Sequence, residues 1–305
     1  MAVLTTDHLT KIYKGHPAVK DVSMHIDEGD IYGFVGENGA GKTTVIRLIT
    51  GLAEPTKGTY SLYGVSNKDP EIREAKKTIG AIVETATMSR SMTALENLRF
   101  QCLVTGQKKT DEELIALINR VGLDYESVKK KKAGNFSLGM RQRLGIAIVM
   151  VSDSKFVILD EPMNGLDPQG FIEVRETILK LHQEGVTFLI SSHILAELEK
   201  ICTKIGVISH GELLEEITME ELHRKAARRT VIETEDPEGV TALLQKAGFT
   251  EAVVEEGKSM VYGDADINAI LKLLVGNDIT VQKINTLEDT VEDHYIRLLG
   301  RRLQS

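Results

Sequence analysis

The chain has 305 residues, enough for one large core and a smaller one, so one or two domains are expected. Apolar residues make up 42% and charged residues 27%, and 45 acidic against 37 basic side chains leave a net charge of −8, which gives no basic face and excludes nucleic acid as an expected partner. The longest apolar run, residues 144–151, falls far short of the roughly 20 needed to span a membrane. The first fifteen residues lack the apolar core of a secretory leader, and Cys102 and Cys202 have neither metal nor redox spacing, so a reducing cytoplasm is the expected setting.

In chain order, residues 30–36 form an apolar, β-rich run that ends in the glycine-rich stretch GENGAGKTT, residues 36–44, and helical spacing follows. Strand, loop, helix is a phosphate cradle. Gly36, Gly39 and Gly41 let the backbone bend without a Cβ in the way, and its N–H groups point inward. The next helix adds its positive end, Lys42 reaches the terminal phosphates, and Thr43 is a ligand for Mg²⁺. GTYSLYG and IGAIVE read as further strands. From Thr93 the texture turns helical: TALENLRFQCLVTG and DEELIALINRVG, the second with Leu114, Leu117, Ile118 and Val121 on one face. Lys129 to Lys132 reads as a solvated loop. A further helix opens near Leu138, in GNFSLGMRQR, where Ser137, Gly139, Arg141 and Arg143 suggest a second anion site at a helix start.

KFVILDE, residues 155–161, is a buried-strand pattern that delivers Asp160 to a sheet edge, where it can hold a magnesium shell, with Glu161 beside it as a base for water. A helical stretch leads to a second strand at 185–193, so the two form a parallel pair, and His193 at its end is placed to reach a γ-phosphate. IGVISHGELLEEI reads as a closing hairpin. A boundary falls near Thr218, where TMEE fits a capping box. Beyond it the order is strand 229–235, helix 237–247, strands 250–255 and 259–262, helix 267–275, strand 280–284 and a terminal helix from Leu287, an order that matches a ferredoxin-like unit. No chemistry-bearing cluster marks this tail.

The ordered set GENGAGKTT, NFSLGMRQR, FVILDEP, NGLDP and SSH resembles the ATP-binding subunit of an ABC transporter over residues 1–217. The resemblance implies an α/β fold: an ABC-type domain with a parallel-sheet core, an antiparallel β-subdomain and a helical insert at about 94–150, followed by a small α+β domain at 218–305. It implies ATP and Mg²⁺ as cofactors. ATP is to be held by Tyr13, stacked on adenine, by Gly36, Glu37, Asn38, Gly39, Ala40, Gly41, Lys42, Thr43 and Thr44, and by Ser137 and Gly139 of the signature segment. Thr43, Glu84 and Asp160 are the metal residues; Glu161, His193 and Lys42 are catalytic, and Asp167 matches the D-loop. The partners it implies are a second copy, head to tail, and an integral membrane permease that holds the chain at the inner face of the cell membrane.

Two positions depart from the family pattern. The signature LSGGQ reads FSLGM here, and the glutamine after IGAIV is Glu84, which brings a negative charge near the phosphates. With the tail near LEDTVEDHYIRLLG, these features are similar to ATPase subunits of bacitracin-resistance and lantibiotic self-protection exporters. An exporter of another drug or ion, a non-transport ABC ATPase and a small-molecule kinase remain alternative readings at this point.

Overall fold

The computed structural model describes residues 1–85, 87–225, 228–287 and 293. The chain divides into two compact units, Met1–Met219 and Glu220–Ser305.

The first unit begins with strands β1 (Ala2–Tyr13), β2 (His16–Val22), β3 (His25–Asp27) and β4 (Ile31–Val35), then helix α1 (Lys42–Thr50). It continues through β5 (Lys57–Leu62), β6 (Val65–Ser66), α2 (Ile72–Lys77) and β7 (Ile79–Ile82). Four helices follow: α3 (Ala94–Thr105), α4 (Asp111–Arg120), α5 (Tyr125–Val128) and α6 (Leu138–Met150). Strand β8 (Phe156–Asp160), α7 (Pro168–Gln183), β9 (Thr187–Ser192), α8 (Leu195–Leu198), β10 (Lys204–Ser209) and β11 (Glu212–Thr218) close it. Helix α9 (Met219–Lys225) follows at the division between the units.

Six strands form one sheet in the order β11-β10-β4-β9-β8-β7, parallel from β10 to β7, with β11 as the antiparallel edge. Every residue of β4, β8 and β9 is buried, as expected of central parallel strands covered on both faces. Phe34, Ile46, Phe156, Ile158, Leu189 and Ile208 belong to one core cluster. Each such side chain contributes ~1.5–3 kcal/mol by leaving water. A second, antiparallel sheet runs β2-β1-β5-β6, with β3 also on β1.

The helical stretch begins at a capping box in which Thr93 and Glu96 satisfy each other's backbone N–H. That bond and the Lys132 ammonium hold the Glu96 carboxyl down to about 2. Leu114, Leu117, Ile118 and Val121 are all buried, on the face that their spacing predicts. Three of the four consecutive lysines have local partners: Lys129 pairs with Glu126, Lys132 with Glu96, and the Lys131 ammonium lies 5.8 Å from the Phe136 ring centroid.

The second unit holds β12 (Arg229–Glu233), α10 (Pro237–Lys246), β13 (Ala252–Glu255), β14 (Lys258–Tyr262), α11 (Ile267–Val275) and β15 (Lys283–Leu287), all strands antiparallel in the order β13-β14-β12-β15. The expected order of elements is present. The last strand lies three residues later than expected, where Lys283–Leu287 pair with β12, and Val281 packs on the core cluster ahead of it. Leu287, the expected first residue of a terminal helix, is instead paired with Arg229. The rest of that expected helix lies outside the described residues.

Candidate functional site

Three adjacent strands end at one edge of the parallel sheet, and each delivers part of a single cluster. Val35 stands opposite Ser192, and Asp160 opposite Ser191. The 36–44 loop therefore leaves β4 beside Glu161 after β8 and His193 after β9.

The loop is built to hold an anion. Gly41 has φ 109° and caps α1 without any side chain, so the first-turn N–H groups of the helix stay open to a ligand. A Cβ on Gly41 would stand 2.7 Å from the Ala18 carbonyl oxygen. Ala18, Asn38, Gly39, Gly41, Lys42, Thr43, Thr44 and Glu161 line a cleft of about 210 Å³. Lys42 is 5% exposed; its Nζ donates to the carbonyls of Gly36 (2.6 Å) and Glu37 (3.1 Å) and lies 3.2 Å from Glu161 Oε1. Glu37 and Asn38 are exposed at the tip, and Ala40 is buried.

Behind the cleft, Thr43 Oγ1 donates to Asp160 Oδ2 at 2.9 Å and Ser191 Oγ donates to Asp160 Oδ1 at 2.5 Å. The Glu161 N–H donates to the Ser191 carbonyl (3.2 Å) and hydroxyl (3.0 Å). Glu161 sits at φ 51°, a left-handed turn directly after the strand. Its Oε2 lies 2.8 Å from His193 Nδ1. One carboxylate thus spans a lysine and a histidine, with one oxygen on each.

The signature segment lies apart from this cleft's lining. Ser137 caps α6, its Oγ accepting the Met140 N–H at 3.2 Å, and it is exposed. The two arginines do not join an anion site here. Arg143 is 7% exposed and clamps the fold, donating to the Gly122 carbonyl and to Glu173 at 2.6 Å each, while Arg141 donates to the Phe136 carbonyl. Arg143 lies one and a half turns into α6, on the side facing α7, and a buried guanidinium needs such partners. Gly139 is buried where α6 meets α7: a Cβ on it would stand 3.0 Å from Gly170 Cα. Gly170 in turn donates its N–H to Asp167, the cap of α7, at 3.1 Å. A Cβ on Gly170 would come within 2.7 Å of that Asp167 oxygen. Asp167→Ala is therefore expected to cost about 1 kcal/mol through the lost cap, a drop of ~2–4 °C in melting temperature for a unit of this size; an unchanged melt in scanning calorimetry would refute that role for the cap.

Two further expected residues are not among those lining the cleft. Tyr13 ends β1, paired with His16 and 42% exposed, and the Lys11 ammonium lies 5.0 Å from its ring centroid, leaving one face for a base. Glu84 is placed against Arg47 of α1, with which its carboxylate forms an ion pair, whereas Asp160 is taken by Thr43 and Ser191. Glu84, expected among the metal residues, is thus met by a guanidinium one turn beyond Thr43. Sequence reading also missed Ser191, although it precedes His193 by two residues and falls opposite Asp160.

Comparison with known proteins then decides the family. A family model described as ABC transporter matches residues 19–164. The bacitracin transport ATP-binding protein BcrA of Enterococcus faecalis is 36% identical over 98% of this chain and 96% of its own length. The chain belongs to the ABC transporter ATP-binding subunits. The lantibiotic transport ATP-binding protein SrtF of Streptococcus pyogenes is 38% identical, over 70% of this chain and 89% of its own length. Among solved structures, cbiO1 from Clostridium perfringens, part of the ABC transporter complex cbiONQ, aligns at a TM-score of 0.66 with 25% identity, covering 73% of this chain and 91% of that one. This ABC subunit is an ATPase and one component of a transporter. Among its described residues no helix is long and apolar enough to cross a membrane.

Proposed function

We propose that two copies of this ABC ATPase close head to tail on two ATP molecules, and that the stroke drives export of a peptide antibiotic by a separate permease. The cradle of one copy, with Tyr13 beneath the adenine, holds the nucleotide, and Ser137 with the start of α6 of the other copy completes it. Ser137 is exposed, caps a helix start and is not among the residues lining the cradle, which favours a pocket finished by a second chain.

Thr43 and Asp160 are the residues to hold Mg²⁺. They offer a hydroxyl and a carboxylate oxygen 2.9 Å apart, the hard donors that this ion accepts alongside phosphate oxygens and water. Among the described residues no three His, Cys, Asp or Glu side chains form a metal-holding group, which suits an ion brought in with the nucleotide. When bound, the ion neutralises charge on the phosphate oxygens. Lys42 donates to the terminal phosphate, the open N–H groups of α1 bind its neighbours, and Glu161 accepts the proton of the attacking water. His193 holds the Glu161 carboxylate at Oε2 and offsets charge as the γ-phosphate leaves.

The permease has a fitting surface. Phe100, Leu103 and Val104 of α3 are 53%, 81% and 64% exposed, and Leu52 beyond α1 is 67% exposed. Leu52, Val83, Thr85, Gln101 and Ile148 line a neighbouring cleft of about 390 Å³. Apolar side chains gathered at the rim of a cleft are where a partner docks. Such a permease would hold the chain at the cytoplasmic face of the membrane.

The likeness to the bacitracin subunit carries the choice of cargo, because it runs through both units, whereas the lantibiotic subunit matches over 70% of the chain. Deleting the gene and titrating the strain against bacitracin, a lantibiotic and an unrelated drug tests it. Greater sensitivity to a peptide antibiotic is expected; sensitivity to the unrelated drug alone would reject this cargo class.

A further inference from the structure

The 36–44 loop is held from behind by a hairpin turn whose residues do not line the cleft. Strands β10 and β11 close on Ser209 and Glu212, which stand opposite each other, so His210 and Gly211 alone make the turn. Both are left-handed, at φ 49° and 82°, as a type I′ turn demands. Gly211 is buried and His210 is exposed. Three segments meet here, backbone against backbone. The Gly211 N–H donates to the Ala40 carbonyl at 2.8 Å, and the Lys20 N–H donates to the Gly211 carbonyl at 2.7 Å. A Cβ on Gly211 would stand 2.8 Å from the Ala18 carbonyl oxygen, the same oxygen that a Cβ on Gly41 would meet at 2.7 Å. Ile208, at the end of β10, closes the floor: a Cβ on Gly36 would lie 2.4 Å from its carbonyl oxygen.

The bond to Ala40 fixes a direction. The peptide that joins Ala40 to Gly41 is trans and planar, so its N–H points away from its C=O. The C=O is turned to Gly211, outside the cleft lining. The N–H, which belongs to Gly41, is therefore turned to the other side, where Gly39, Lys42 and Thr43 line the cleft. An N–H aimed this way at a helix start is a phosphate donor. Gly41 also caps α1, so a tilt of this peptide moves the first turn of the helix with it.

We infer that Gly211 is a positioning residue: by holding the Ala40 carbonyl it aims the Gly41 N–H at the phosphates and sets nucleotide affinity from outside the cleft. The inference rests on the reading of residues 36–44 as a nucleotide cradle. The turn touches no substrate itself. It acts through one peptide of the loop, so it bears on how tightly the nucleotide is held and not on the proton transfer at Glu161.

The test is steady-state ATP hydrolysis by the full chain, with equilibrium binding of a fluorescent, non-cleavable ATP analogue measured beside it. Gly211→Ala sets a Cβ against the Ala18 carbonyl and displaces the turn. KM and the analogue's Kd are expected to rise about tenfold, the low end for one hydrogen bond to a charged group. At saturating ATP kcat is expected to be unchanged, the mark of lost uniform binding. A chain that is merely part-unfolded does the reverse, with a lower kcat at the parental KM. His210→Val strains the same turn, because a β-branched residue resists a left-handed φ, and it replaces Gly211→Ala if that chain does not fold. His210→Asn accepts that φ and is expected to match the parent. Parental KM and Kd in the folded turn variants, or a fall in kcat at parental KM, overturns the inference. Gly41→Ala separates it from the cradle reading. Binding lost in Gly41→Ala, with parental KM in the turn variants, rejects the inference alone. Parental binding in Gly41→Ala rejects the cradle reading and the inference with it.

Discussion

Glu161→Gln is expected to lower ATP turnover by ~10²–10⁴-fold, the contribution of a general base, while nucleotide still binds. The substitution keeps the side chain's length and leaves the backbone anchors untouched, because those are made by the Glu161 N–H to Ser191. It removes the one property the reaction uses, a carboxylate able to accept a proton. It also removes the ion pair with Lys42, at 3.2 Å, leaving that lysine to the Gly36 and Glu37 carbonyls and to an incoming phosphate. Binding is therefore expected to be retained. Single-turnover hydrolysis with equilibrium binding measured in parallel separates the two steps. Parental turnover in the Gln variant would remove Glu161 from the role of base and shift attention to His193.

Lys42→Ala is expected to do the opposite and remove binding itself. A buried ammonium with three oxygen neighbours is the strongest positive point of the cleft, and a hydrogen bond to a charged group is worth ~1.5–3 kcal/mol. Lost from the nucleotide complex, that is ~10–150-fold in affinity. The truncation also leaves the Glu161 carboxylate without its nearest cation, and this repels a triphosphate further. Titration calorimetry with the non-cleavable analogue reads the loss directly. A Lys42→Ala chain that binds within twofold of the parent would mean that the backbone N–H groups alone carry the phosphate.

Much of this site is legible in the amino-acid sequence. The glycines of 36–44 lie between an apolar strand and a helix, and KFVILDE announces a buried strand ending in two acids. Both signals are local, made by residues next to each other in the chain. What escaped depends on distant partners. Nothing in IVETA says that Glu84 will meet Arg47, 37 residues earlier, and Ser191 acquires its role only because β8 and β9 align in one register. Gly139 reads as a ligand-binding glycine, and its contact with Gly170 adds a packing requirement that no spacing rule contains. The antiparallel sheet was legible only through family resemblance. Strand β1 is rich in polar residues, and register shifts between Leu9 and Lys11 and between Asp7 and Thr10 break its alternation. In the second unit the expected strand, 280–284, and β15, 283–287, share only Lys283 and Ile284, because the strand's bounds are chosen by its pairing with β12.

The central proposition is that one nucleotide is shared by the cradle of one copy and the Ser137 corner of another. Light scattering on the Glu161→Gln chain with Mg²⁺ and ATP measures it most directly. The expected result is a doubled mass that falls back to the single chain when Ser137 is replaced by a bulky, non-capping residue such as Phe. A mass that stays at one chain with saturating ATP, or a dimer indifferent to both ATP and Ser137, would contradict it.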